Sequence, residues 1–184
     1  MAKRDGKSIT LGSGKLYYQE HTGTMPDQTA ITALCTATNL LAYIKGGAAL
    51  EYSQETYEEK DDLGIVSKVI TVKEEVKLKC GLLTWNGDTI NILIDNSTVS
   101  EASGMRTIKI GGAGNAKGKY YVLVFKHEDP TDGNVIVALV GRNTAGLSLT
   151  FAADAGTVLE AEFTAKAHDE DGTLVTVYEE TSST

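Results

Sequence analysis

The sequence predicts a mainly β fold in one domain with one short amphipathic helix, and three observations predict it. Glycine is frequent, at 19 residues, proline is scarce, at 2, and Thr and Val recur. Such a mix suits strands joined by tight turns. Several segments alternate apolar and polar residues with period two, as half-buried strands do. Two more segments are apolar throughout, which marks strands covered on both faces. At 184 residues the chain is long enough for one ordinary domain, 1–184, and short for two.

Taken in order, the stretch Asp27 to Tyr43 has helical spacing, but its threonines lower helix propensity and its state stays open. Val76, Leu78, Cys80 and Leu82 alternate with Lys77, Lys79 and Gly81 and predict a half-buried strand. Thr84 to Asn96 predicts the helix. Asn86 is its N-cap, Asp88 lies in its first turn, and Ile90, Leu93 and Ile94 share one face. Trp85, the single tryptophan, stands at the strand-to-helix join and is expected to anchor the core. Ile108 and Ile110 alternate with Thr107 and Lys109 as another half-buried strand. Tyr120 to Phe125 and Val135 to Val140 are the runs apolar on both faces. Between them, Pro130 and Asp132-Gly133 supply turns, which predicts a central hairpin. A helix, a second sheet or a neighbouring subunit must cover each face of it. Leu147, Leu149 and Phe151 alternate with Ser148 and Thr150, and Leu159, Ala161, Phe163 and Ala165 alternate with Glu160, Glu162, Thr164 and Lys166; both are expected to be strands.

Three surface segments stand out by charge. Residues 1–15 carry Lys3, Arg4, Lys7 and Lys15 against Asp5. Residues 53–68 hold Glu55, Glu58, Glu59, Asp61 and Asp62 against Lys60 and Lys68, and are expected to form a long acidic inter-strand loop that has a job of its own or is disordered in the free subunit. Residues 168–184 have five acids and no Lys or Arg.

The net charge of −8 gives no general attraction for polyphosphate and speaks against nonspecific nucleic-acid binding. No apolar run approaches the ~20 residues of a membrane helix, so a soluble protein with no membrane insertion is expected. No apolar segment of signal-peptide length follows the basic start, and export is not expected. Cys35 and Cys80 are too few for a metal ribbon or a disulfide scaffold and are expected as reduced, mostly buried thiols.

Motifs that carry chemistry are mostly missing. Gly111 to Lys119 resembles a phosphate loop only in its glycines. Ala113 replaces the first required glycine, no Ser or Thr follows Lys119, and a strand follows where a helix N-terminus is needed. A flexible hairpin loop is the expectation. His127, Glu128, Asp129 and Asp132 around Pro130 read as turn chemistry, and His168 to Gly172 lacks calcium-loop spacing. Neither cysteine is paired with a nearby His, and no Gly-x-Ser-x-Gly elbow exists. No catalytic residue, metal ligand or cofactor is assigned.

One succession is more specific: Tyr43-Ile44-Lys45-Gly46-Gly47-Ala48-Ala49-Leu50-Glu51-Tyr52, the acidic segment, Leu78-Lys79-Cys80-Gly81-Leu82-Leu83-Thr84-Trp85-Asn86-Gly87, Arg106-Thr107-Ile108-Lys109-Ile110-Gly111-Gly112, and Phe125-Lys126-His127-Glu128-Asp129-Pro130. It resembles the tail tube (major tail) proteins of long-tailed bacteriophages and prophages of Gram-positive bacteria. The resemblance runs from about Leu16 to the C-terminus. Thr22 to Thr38 looks like an insertion, over which nothing is carried.

The resemblance implies a β-sandwich or partly closed barrel with one flanking helix. It further implies hexameric rings that stack into a hollow tube, through which DNA passes only in transit. Partners would be further copies of the chain and the tail tip, tape-measure and terminator proteins, and the location the virion tail, assembled in host cytoplasm. In that family the loop after the second strand reaches the adjacent ring. Here that is residues 53–68, where Tyr57, Leu63, Ile65 and Val66 could anchor a segment that orders on docking. Lys3, Arg4 and Lys7 are expected to meet acidic segments of an adjoining subunit, so that assembly weakens with salt; a salt-insensitive assembly would count against that contact. Other readings are a contractile or secretion-system tube, a virion decoration or carbohydrate-binding module, and, last, an enzyme with an unrecognised site.

Overall fold

The structure is a computed structural model that describes residues 4, 8–10 and 12–181. Among these it forms β1 (Lys15–Glu20), α1 (Gln28–Leu34), β2 (Leu40–Lys60), β3 (Ser67–Leu82), α2 (Gly87–Leu93), β4 (Ser97–Ala102), β5 (Met105–Ile110), β6 (Tyr121–His127), β7 (Val135–Asn143), β8 (Leu159–Lys166) and β9 (Val175–Glu179). The fold is mainly β.

Seven strands make one sheet in the order β6-β1-β2-β3-β8-β7-β9, and β6 pairs with β7 as well. All of these pairings are antiparallel. The ladder therefore runs a full circuit from β6 through β7 and back, without being a regular barrel. β8 reaches only Val140 to Asn143 of β7, while β9 takes Val135 to Leu139. At the change of partner sits Gly141, where a Cβ would lie 2.6 Å from the Thr164 carbonyl oxygen. β4 and β5 form a separate two-stranded ribbon.

The central hairpin is as expected. β6 and β7 pair from Tyr121↔Gly141 to His127↔Val135. Asp129 Oδ1 shapes the turn by accepting from the Thr131 and Asp132 amides at 2.8 and 2.9 Å. Alternation sorts the side chains of this hairpin between two cores. Leu123 and Leu139 enter the larger one, with Leu16, Leu78, Leu82, Leu159 and Phe163. Val122, Val124, Ala138 and Val140 enter the smaller one, with Ile31 and Leu34 of α1. The second face is thus covered by a helix of the same chain, drawn from the stretch whose state was open. Asp27 caps α1 by accepting from the Ala30 amide at 2.8 Å.

α2 forms as the sequence predicts. Asn86 Oδ1 accepts from the Asp88 and Thr89 amides, and Thr89 Oγ1 accepts from the Asn86 amide in return. Ile90 and Leu93 face the larger core, and Trp85 packs against it while only partly buried. Val76, Leu78, Cys80 and Leu82 are buried on β3, as are Leu159, Ala161 and Phe163 on β8.

Four expectations are corrected. Leu147 to Phe151 is not a strand: both edges of the following strand, β8, are occupied by β3 and β7, so the segment cannot pair beside it, and Phe151 stays 76% exposed. Ile108 and Ile110 lie on a strand, but β5 belongs to the separate ribbon, so only Ile108 packs on the core and Ile110 is exposed. Gly111 to Lys119 is not a hairpin loop, because the strands it joins, β5 and β6, do not pair with each other. Residues 53–68 are not a loop throughout. β2 continues to Lys60 and β3 starts at Ser67, which leaves 61–66 as a turn. The acidic C-terminal segment also contributes a strand, β9.

Candidate functional site

β1 leaves β2 after Tyr43, and β8 pairs with β3 only from Lys77 onward. Beyond those points β2 and β3 pair only with each other, from Tyr52↔Val76 to Lys60↔Ser67. The result is a two-stranded arm that projects roughly 30 Å from the body at ~3.3 Å per residue. A two-stranded ribbon is marginal by itself in water. Among the described residues, the outer edges of both its strands also have no ladder partner.

The arm is built into the body by a bulge and a ladder of charges. The register shifts between Lys45 and Ala48, where Gly46 and Gly47 hold φ of 82° and 86°, values that glycine adopts at no steric cost. A second shift lies between Glu55 and Thr56. Paired residues share a face, so Glu51, Glu55, Tyr57 and Glu59 lie on one side with Lys79, Lys73, Ile70 and Lys68. On that side Lys79 meets Glu51 at 2.8 Å and Lys73 meets Glu55 at 3.4 Å. Each exposed pair is worth little, but opposite charges placed across from each other favour this register over a slipped one. Leu50, Tyr52, Thr56, Glu58 and Val69 occupy the other side. Tyr52 Oη there lies 2.7 Å from Glu74 Oε1 and 2.8 Å from Gln54 Oε1.

The residues assigned from sequence thus separate into three places. Glu55, Tyr57 and Glu59 are on the charged side, and Tyr57 donates to the Glu59 carboxylate, which pushes the phenol pKa up. Glu58 is on the opposite side, 3.0 Å from Lys60. Asp61, Asp62, Leu63, Ile65 and Val66 form the tip. Asp61 closes it: its Oδ1 accepts from the Val66 amide at 2.7 Å, and this bond holds the carboxyl below its usual pKa. Leu63, Ile65 and Val66 project outward, each at least two-thirds exposed.

Of the basic N-terminal residues, Lys3 and Lys7 lie outside the described residues. Arg4 turns inward, with NH1 3.4 Å from Gly133 O and a second bond to Thr10 Oγ1. Lys119 of the glycine-rich connection pairs with Glu20 at 2.7 Å, and Lys117 is drawn to the end of α2.

The largest groove, about 850 Å³, is lined by His21, Tyr120, Lys166 and His168 among others. Its lysines are engaged: Lys166 lies 4.7 Å from the Tyr120 ring centroid, and Lys119 is paired with Glu20. Among the described residues no three His, Cys, Asp or Glu side chains are grouped as a metal ion would need, and no helix is long and apolar enough to cross a membrane.

Sequence reasoning found the acidic residues but not the arm. The signal was present in the opposite charges that pair at its base, Glu51 with Lys79, and across it, Glu55 with Lys73, and in Val69 to Val72, which carries three β-branched residues beside Ile70. No family model matches the chain, and no curated protein matches it.

Proposed function

We propose that this chain is a structural subunit of a phage tail tube, in which hexameric rings stack into a hollow conduit for DNA ejection. The observation that carries the reading is the arm. It is a long ribbon whose tip exposes Leu63, Ile65 and Val66, and beyond its base, which residues 171–175 approach, none of the described residues covers it. An obligate assembly gives such a segment a surface to bind. The resemblance of residues from about Leu16 onward to tail tube proteins supplies the form of that assembly: a partly closed barrel per subunit, with the arm reaching the adjacent ring. No reaction and no cofactor enter this role. Tail tip, tape-measure and terminator proteins would be partners, and the location the virion tail. A tube of a contractile or tail-derived particle uses the same subunit chemistry.

The doubly apolar strands β6 and β7 are covered by α1 of the same chain, so they do not require a neighbour. A carbohydrate-binding module is disfavoured by its aromatics, since Tyr17 and Tyr121 are buried and cannot join a binding row.

Light scattering across a concentration series, with negative-stain electron microscopy of the same samples, tests the proposal. Rings or hollow tubes of constant diameter are expected. A monomer at every concentration, including in the presence of preformed tail tips, would overturn it.

A further inference from the structure

The hairpin of β2 and β3 exposes apolar side chains at both of its ends. At the arm tip these are Leu63, Ile65 and Val66. At the opposite, open end the Leu83 amide donates to Tyr43 O at 2.9 Å and the Tyr43 amide donates to Thr84 Oγ1 at 2.9 Å. Tyr43 and Leu83 are both exposed there. The connection from β7 to β8 reaches the same end. It enters β8 at Leu159, opposite Leu82, and a Cβ at Gly156 would lie 3.4 Å from Leu83 Cδ1. The Thr157 hydroxyl donates to Thr150 O at 2.9 Å, which holds Leu149 and Phe151 near this end. Phe151 packs into neither core and is as exposed as the tip residues.

Single apolar residues scattered over a surface need no explanation, but grouped ones mark contact sites. One chain cannot bring its two groups together. β2 runs from Leu40 to Lys60, and at ~3.3 Å per residue roughly 50 Å of strand separates Tyr43 from the tip. A second copy displaced along the hairpin does bring them together. We propose that the patch of Tyr43, Leu83, Leu149 and Phe151 is the docking site for the arm tip of another copy of this chain. The inference rests on the tube reading for its setting and adds the surface that receives the arm.

Charge agrees with the fit. Lys45 lies on the same side of β2 as Tyr43 and is exposed, as is Asp62 of the tip. Asp61 is already turned onto the Val66 amide, which leaves Asp62 to meet the cation. The contact joins two different surfaces, so a docked pair still presents one unused tip and one unused patch. It therefore repeats head to tail instead of closing in a pair, and every arm points the same way.

A photo-crosslinking residue in place of Phe151 tests the contact in the full chain under assembly conditions. Two chains joined between position 151 and the tip peptide holding residues 61–66 are expected by tandem mass spectrometry, and the product should vanish when Leu63→Asp and Ile65→Asp are introduced together. Phe151→Asp and Leu63→Asp, each with an unchanged melting temperature, should raise the concentration needed for assembly at least tenfold. Mixed, these two variants retain one intact tip and one intact patch between them, and should form two-layer particles that grow no further. Wild-type tubes without the crosslink to the tip, or tubes that Phe151→Asp forms as readily, would overturn the docking site and leave the tube reading standing. The crosslink in a protein that builds neither rings nor tubes would overturn the tube reading and leave the docking site. Absence of both crosslink and assembly overturns both.

Discussion

Lys77 of β3 and Glu162 of β8 meet at 3.1 Å where the arm leaves the body, and Lys79 approaches the other oxygen of the same carboxylate at 3.6 Å. The hydrogen bond from Lys77 is the main reason that the Glu162 carboxyl is held below its ordinary pKa. A carboxyl with a lowered folded pKa contributes stability in full above its unfolded value, ~4.3, and loses it as the pH falls through the folded value. Glu162→Gln is therefore expected to cost a little stability at pH 7, where the contribution is complete, and to change little once the carboxyl is protonated in both states, so that the acid limb below ~4.3 flattens. Urea melts at a series of pH values check it, and an unchanged acid limb would count against the link.

The cover that α1 provides predicts a larger effect. Ile31 is fully buried in the smaller core, against the outer faces of β6 and β7. Ile31→Ala should cost about 2–5 kcal/mol, the range for a large-to-small change in a packed core. Ile65→Ala at the exposed arm tip should stay within about 0.5 kcal/mol. Equilibrium denaturation of the two variants decides the contrast. Equal losses would mean that the tip is packed in solution or that α1 is not.

His21 should give stability a second pH dependence, of the same sign. Burial lowers its pKa, and Lys166 and His168 add to the shift. The unfolded chain then takes up the proton first, at ~6.5, so this contribution is complete above that pH and declines as the pH falls below it. Replacing His21 with Asn should reduce the slope between neutral pH and mild acid. A slope that survives the change would count against His21 as its source.

Much of the fold was legible from local pattern. Asn86, Asp88 and Ile90 announced α2 because a cap and an apolar face are both written within a few residues. Val76 to Leu82 announced its strand for the same reason. What was not legible depended on distant partners. Leu147 to Phe151 alternates as well as any strand in the chain, but alternation reports a face and not an available edge. The arm was hidden because exposure on both faces removes the apolar alternation on which strand recognition depends; only cross-strand charge pairs such as Glu55 with Lys73 remained to mark it. The reach of Lys117 back to Asn91 at the end of α2 spans 26 positions, and no spacing rule announces it.

The two thiols should differ in accessibility. Cys80 lies inside the larger core and burial pushes its pKa up to about 12, whereas Cys35, at the end of α1, is only partly buried. The thiolate is the reactive species, so a disulfide-exchange reagent should modify Cys35 in the native protein and reach Cys80 only after denaturant is added. Equal rates would place Cys80 outside the core.

The arm makes the prediction that bears most directly on assembly. Its residues from Tyr52 to Lys60 and from Ser67 to Val76 are bonded only across a two-stranded ribbon, and such ribbons open locally at little cost. In the free subunit their amides should exchange with solvent far faster than those of β6 and β7, each of which is paired on both sides. On assembly the arm amides should become protected while those of β6 and β7 stay as they were. Exchange measured before and after polymerisation, at matched pH, separates the possibilities. Protection confined to the arm identifies it as the docking element. Fast arm exchange that persists in an assembled tube would show that the subunits are held by other surfaces, and attention would pass to the free outer edge of β9.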